Sequence, residues 1–427
     1  MAAVPQNIVG ADALDFASII RPGDRVICGQ AAAEPLTLTE ALVAQAHRLP
    51  PFEMFLGPVY SKTFTAERTD GIVFSSYGAM GQAVTMAARG RLDVVALPYS
   101  QLCAEYASGQ RMADVVLLQL SSRSAQRGLN LSLSNDYVLS AARNARIVIA
   151  EINPHAPWTH DAELPDDVPL HLCVAARREP LEVPAATLDD TARKIAAHAA
   201  ALIPDGATLQ FGVGRIPEAI LANLGHLRNL GIHSGLINDV TVDLIECGVV
   251  TNAEKGIDRG VSVTNQLIGT RRLYDHAHGN PAIVLRPAAY THGHEVLSQI
   301  RRLVAINSAI EVGLDGSINA QIVSGVAVGG IGGQLDFVRG ANASDGGRAI
   351  IALPSTVTGG VSRIVPRVET VTTPADAADA IVTEFGAAEL RGCDPDERAR
   401  RLVAIAAPEH REMLSRAAFS AREDGVK

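Results

Sequence analysis

The sequence predicts an α/β fold of two similar domains, each a mainly parallel sheet covered by helices. Three observations predict it. Of 427 residues, 47% are hydrophobic and only 4% aromatic, so Ala, Val, Leu and Ile carry the apolar mass, as in buried parallel strands packed on helices. Strand-like runs at 94–97, 115–118, 147–150 and 349–353 alternate with helical patterns at 36–48, 190–202 and 218–224. Finally, two segments recur in the same order. IRPGDRVICG from Ile20 returns as IPDGATLQFG from Ile203, and VLSAARNARIVIAEIN from Val138 is echoed by VLSQIRRLVAIN from Val296, which reads as internal duplication.

A chain this long holds two or three domains on the usual scale. Residues 175–190 combine charge, two prolines and no apolar period, the composition of a surface linker, so the boundary is drawn between domains 1–185 and 186–427. Lys and Arg total 37 against 46 Asp and Glu, a formal charge of −9 with no basic block, which excludes a nucleic-acid footprint. Five dispersed cysteines, an odd number without a CxxC pair, read as reduced thiols and favour neither a disulfide framework nor a metal site. The N-terminus shows no basic-then-apolar leader, and no stretch of 18 apolar residues occurs. A cytoplasmic, membrane-free protein is expected.

Ligands of such sheets bind at the carboxyl ends of strands, so the loops there are searched for chemistry. Gly212, Val213 and Gly214 follow a strand and open a helix through Arg215, Ile216 and Pro217. Two glycines allow close approach, and the free N–H groups of a helix start favour an anion. The loop lacks the third glycine of a dinucleotide fingerprint and the GK[ST] of a P-loop. A denser glycine run, from Gly325 to Gly347 and including Gly330, Gly332 and Gly333, offers amides for an anion nest or oxyanion hole. Two HxH pairs, His276/His278 and His292/His294, complete no ligand spacing and read as exposed loop histidines, so no metal is expected. His155 and His160 flank the single Trp158 in a loop that caps one domain or meets the other. No GxSxG elbow occurs. Ser61, Lys62 and Glu34 are polar groups on loops after strands, Glu34 also fitting the first turn of a helix.

Taken together, FGVGRIPEAI from Phe211, GIH from Gly231, INSAIEVGLDG from Ile306, GGQLDFVRGA from Gly332, SRIVP from Ser362, VTTP from Val371 and IVTEFG from Ile381 resemble the acetyl-CoA hydrolase/transferase family. Within it the chain looks most like the 4-hydroxybutyrate, butyrate and acetate CoA-transferase group. The match is dense over 205–415 and thinner before 180. The resemblance implies a homodimer or higher oligomer acting on short-chain acyl-CoA and a small carboxylate, in acetate metabolism, with no cofactor beyond the co-substrate coenzyme A. It also implies CoA contacts at Gly212, Val213, Gly214, Arg215 and Ile216, with Gly330, Gly332 and Gly333 shaping the CoA and oxyanion site. In the family a glutamate attacks the thioester and carries first the acyl group, then CoA, which is covalent catalysis by a carboxylate.

That glutamate belongs 23 residues after Gly212, where this chain reads His233-Ser234-Gly235, so the catalytic position is Gly235. Three readings follow: a transferase with Glu34 or Glu311 as substitute nucleophile, an acyl-CoA hydrolase using the space that Gly235 leaves, or a catalytically silent CoA-binding protein.

Overall fold

The structure, a computed structural model, describes residues 5, 7–65, 69–124 and 127–420; part of the N-terminal segment on which the leader reading rests lies outside them. Its first half is a seven-stranded, wholly parallel sheet of β1 (Arg25–Cys28), β2 (Phe52–Leu56), β3 (Ile72–Ser76), β4 (Asp93–Val94), β5 (Val115–Ser121), β6 (Ile147–Asn153) and β7 (Leu172–Ala175), in the order β4-β3-β2-β1-β5-β6-β7. Every residue of β5 is buried, as a central parallel strand covered on both faces requires.

The second half repeats the plan with β8 (Thr208–Phe211), β9 (Gly231–Ile237), β10 (Ser262–Leu267), β11 (Ile283–Leu285) and β12 (Leu303–Ser308). Four short strands follow: β13 (Glu311–Gly313), β14 (Ile318–Asn319), β15 (Ile322–Val323) and β16 (Val326–Ala327). Then come β17 (Arg348–Ala352), β18 (Ile364–Val365), β19 (Ala380–Thr383) and β20 (Gly386–Glu389). The large sheet runs β11-β10-β9-β8-β12-β17-β19-β20, and only β20 is antiparallel. The connection between β12 and β17 holds the small sheet β15-β16 and strands β13 and β14, which are joined by β18 from the connection between β17 and β19 in the small sheet β14-β13-β18.

The first seven positions of the two orders superpose strand for strand, so the halves are duplicates in topology, β1 answering to β8 as the Ile20/Ile203 repeat implies. The second echo fails that test. It pairs β6 with β12, whereas topology pairs β6 with β17 and β5 with β12. A helix leading into a buried parallel strand has one apolar pattern wherever it occurs, and that pattern was the likeness. The run 94–97 is also a strand only to Val94, because Pro98 has no N–H for a ladder.

Helix starts are capped by side chains. Asp136 accepts from Val138 N (2.9 Å), Asp189 from Ala192 N (2.8 Å) and Asn238 from Thr241 N (3.1 Å). The loop around Trp158 meets the second half: Trp158 N donates to His278 Nδ1 (3.0 Å), and Leu285 N donates to His160 O (2.9 Å). One apolar core runs across both halves, from Ile27 to Val382. Among the described residues no helix is long and apolar enough to cross a membrane.

Candidate functional site

In the second sheet the chain winds from β8 out to β11 and then returns to place β12 on the other side of β8. The strand order reverses between these two, and a crevice forms at their carboxyl ends. The reversal is held by side chains: Asn307 Nδ2 donates to Gln210 Oε1 (2.9 Å), and Gln210 Nε2 to Asn307 Oδ1 (3.3 Å). A cavity of about 360 Å³ sits there. Its floor is Phe211, Gly212 and Val213 after β8, Gly235 and Leu236 of β9, Asn265 and Gln266 of β10, and Asn307 and Ser308 of β12. Pro58, Tyr77, Met80 and Tyr99 close it from the first half, and the glycine loop 328–333 crosses its mouth.

The glycine loop is fixed by backbone contact with the first half. Ala79 N donates to Gly329 O and Tyr99 N to Gly332 O, both at 2.9 Å. A Cβ on Gly330 would stand 2.5 Å from Tyr77 O, so this glycine is required by close approach of two backbones. Ser100 pins the following helix, Gln334–Ala343, by donating from Oγ (2.6 Å) and N (3.1 Å) to the Asp336 carboxylate. Gly333 is the N-cap of that helix and lines the cavity, so the helix starts there with no capping side chain.

His292 lies at the centre of the site. It is 5% exposed, between the rings of Tyr99 (centroids 4.8 Å apart) and Phe337 (4.6 Å). Its Nδ1 is 2.8 Å from Thr291 Oγ1. Its Nε2 faces two glycines, 3.2 Å from where a Cβ on Gly235 would stand and 2.7 Å from one on Gly333. Burial pulls its pKa down to about 3, so the ring is neutral at physiological pH. Tyr99 is oriented in turn, its hydroxyl donating to Asn265 Oδ1 (3.2 Å) and accepting from Gln30 Nε2 (3.0 Å), while Tyr77 donates to Gln30 Oε1 (2.7 Å). Burial raises both phenols well above their ordinary value.

The expectation of exposed loop histidines is therefore corrected at His292: the short helix Ala288–Thr291 turns it inward beneath the loop. No local pattern marks this, since Thr-His-Gly-His is as polar and glycine-rich as a surface turn.

Comparison with known proteins bears on this arrangement. A profile of the acetyl-CoA hydrolase/transferase C-terminal domain matches residues 269–418. The 4-hydroxybutyrate coenzyme A transferase of Clostridium kluyveri is 35% identical over 93% of this chain and 94% of its own. The chain belongs to the acetyl-CoA hydrolase/transferase family. Among solved structures, RipA from Yersinia pestis superposes with a TM-score of 0.88 at 33% identity, over 95% of this chain and 96% of that one. The 4-hydroxybutyrate CoA-transferase of Porphyromonas gingivalis gives 0.79 at 29% identity, over 98% of each.

Against that family, the placement of the remaining candidates matters. Gly212, Val213, Gly330, Gly332, Gly333 and Gly235 all line the cavity. Gly214 borders an adjoining pocket with Tyr60 and Glu218, and Ile216 is buried in the core. Arg215 reaches outward to Asp189 (2.6 Å). Glu34 and Glu311 are not on the lining. The buried Glu34 carboxylate accepts from Thr39 Oγ1 (2.8 Å) ahead of helix Leu36–Gln45, and desolvation raises its pKa. Glu311 lies in β13 and accepts from Asn319 Nδ2 (2.9 Å). Among the described residues the lining carries no Asp, Glu, Lys, Arg or Cys. Its titratable groups are Tyr77, Tyr99 and His292.

Proposed function

We propose that the chain is an acyl-CoA:carboxylate CoA-transferase for short-chain acyl groups in which the acceptor carboxylate, and no side chain of the enzyme, attacks the thioester. The observation that carries this is a cavity lining without a carboxylate among the described residues, with a glycine that bears no side chain, Gly235, at the position the family motif assigns to the nucleophile. In the first step an oxygen of the acceptor carboxylate attacks the thioester carbon, the C–S bond breaks and CoA leaves as thiolate, giving a mixed anhydride. In the second the thiolate attacks the acceptor-derived carbonyl carbon and the anhydride C–O bond breaks, releasing the donor carboxylate and the acceptor thioester. No proton need move. The start of helix Arg215–Ala222, with Arg215 and the nearby Arg363, suits the anionic end of CoA. The same space admits water, which makes acyl-CoA hydrolysis the second reading. The protein is read as a cytoplasmic homo-oligomer, and light scattering tests its assembly.

Initial rates with acetyl-CoA and butyrate test the proposal. Intersecting double-reciprocal lines are expected, with no peptide modified by hydroxylamine or borohydride. Parallel lines with a labelled peptide carrying Glu34 or Glu311 would overturn it. Thiol release without any acceptor selects hydrolysis, and CoA binding with neither reaction leaves a silent binding protein.

A further inference from the structure

We propose that His292 donates a hydrogen bond from Nε2 to the thioester oxygen as negative charge develops on it, which makes it a catalytic residue of the reaction proposed above, on which this inference rests. The geometry has three parts. First, Nδ1 is 2.8 Å from Thr291 Oγ1, whose alternative acceptor, Pro287 O, is at 3.5 Å. In this proposal the hydroxyl proton goes to Nδ1, the nearer of its two acceptors, and a neutral ring so engaged carries its hydrogen on Nε2. Second, Nε2 has no hydrogen-bond partner among the described residues, although the residue is 95% buried, counting from its 5% exposure. His292 lines the cavity, so the open Nε2 is available to a ligand there. Third, Nε2 lies against Gly235 and Gly333, both on the cavity lining, so it faces the space a substrate enters.

The surroundings suit a donor better than a base. With its pKa near 3 the imidazole is a poor proton acceptor, whereas a neutral ring can polarise a carbonyl without giving up its proton. Tyr99 and Phe337 pack against the ring at tilts of 55° and 53°, so the donor is oriented before substrate arrives. His233, lying below, does not compete: its Nε2 is committed to Thr291 O at 3.1 Å.

The test uses the full chain. Long-range ¹H–¹⁵N spectra of the ligand-free protein should show His292 neutral and protonated on Nε2; protonation on Nδ1 overturns the inference whatever the enzyme catalyses. His292→Phe keeps the aromatic clamp and should lower kcat by ~10²-fold or more, the usual loss for one oxyanion donor, with the Kd for CoA unchanged. His292→Gln, which restores an amide donor, should recover part of that loss. An unchanged kcat in His292→Phe, or equal loss of CoA binding, refutes the role. Should the wild type bind acetyl-CoA without turning it over, the proposed function fails and this inference is still decided. The carbonyl of bound [1-¹³C]acetyl-CoA must be shifted toward a polarised state in the wild type and less so in His292→Gln and His292→Phe, and equal shifts overturn it.

Discussion

Installing a carboxylate at Gly235 tests both halves of the site at once. The backbone at Gly235 is not in the left-handed region, so Gly235→Glu meets no conformational bar. Its Cβ would sit 3.2 Å from His292 Nε2 and 3.6 Å from Phe337 Cε2, so the clamp must yield by a few tenths of an ångström, an overpacking cost of about 1–3 kcal/mol. From that Cβ the carboxylate reaches to about 4 Å from Nε2. At an effective dielectric of about 20 the attraction for an imidazolium is ~4 kcal/mol, enough to raise His292 from about 3 to about 6. The wild-type ring should stay neutral down to about pH 4, while the variant ring titrates in the physiological range; His ¹⁵N shifts followed from pH 4 to 8 read this directly. The variant should also turn double-reciprocal plots from intersecting to parallel, with hydroxylamine trapping at residue 235. A His292 that titrates identically in both proteins would show that the two residues are not neighbours, and every argument built on the cavity would fall with it.

Three further outcomes follow from the same contacts. Gly330→Ala drives a Cβ to within 2.5 Å of a backbone oxygen that cannot rotate away, so it should lower unfolding free energy by about 1–3 kcal/mol and weaken acyl-CoA binding, both visible in urea titrations with and without CoA. Tyr99→Phe leaves Gln30 Nε2 and Asn265 Oδ1 without their partner, which should destabilise by about 1–3 kcal/mol in the same titration. Lys255, 1% exposed and donating to Ile232 O and Val261 O (both 2.8 Å), is pulled by burial from 10.5 to about 7. Between those values the unfolded chain binds a proton that the folded chain has shed, so stability rises with pH there by up to ~1.4 kcal/mol per unit. Lys255→Met should lose that slope, and equal slopes in wild type and variant between pH 7 and 9 would contradict the burial.

Which parts of this were legible in the sequence follows from where the information resides. Runs such as 115–118 and 147–150 declare parallel strands because both faces of each strand are buried, a local property. The Gly212 loop is likewise a strand-to-helix turn, and its place at the reversal point of the sheet follows from α/β topology. Gly330 was legible only as a glycine: its reason, the backbone of Tyr77 more than two hundred positions earlier, is a tertiary contact with no local trace. Tyr99, Asn265 and His292 were missed on the same ground, since each is ordinary in its own segment and acquires meaning where β10, the loop after β11 and the first half converge.

An uncharged cavity also constrains the co-substrate. Moving a carboxylate out of water with no cation to receive it is expensive, so a lining of amides, rings and glycines favours the neutral thioester and resists the acceptor. Among these elements the start of helix Gln334–Ala343 at Gly333 is the feature able to hold the acceptor's charge. Asp336, in the first turn of that helix, works against it by placing a half-buried carboxylate one turn away, held by Ser100. Asp336→Asn keeps an oxygen to accept from Ser100 N and removes the charge. At about 0.3–1 kcal/mol for one charge at a helix end, the KM for butyrate should fall about two- to fivefold, while the rate of thioester cleavage by water alone is unchanged. If the variant instead binds butyrate no better, or speeds hydrolysis equally, then the acceptor does not sit at this helix start, and direct carboxylate attack loses the one place in the cavity that makes it affordable against attack by water.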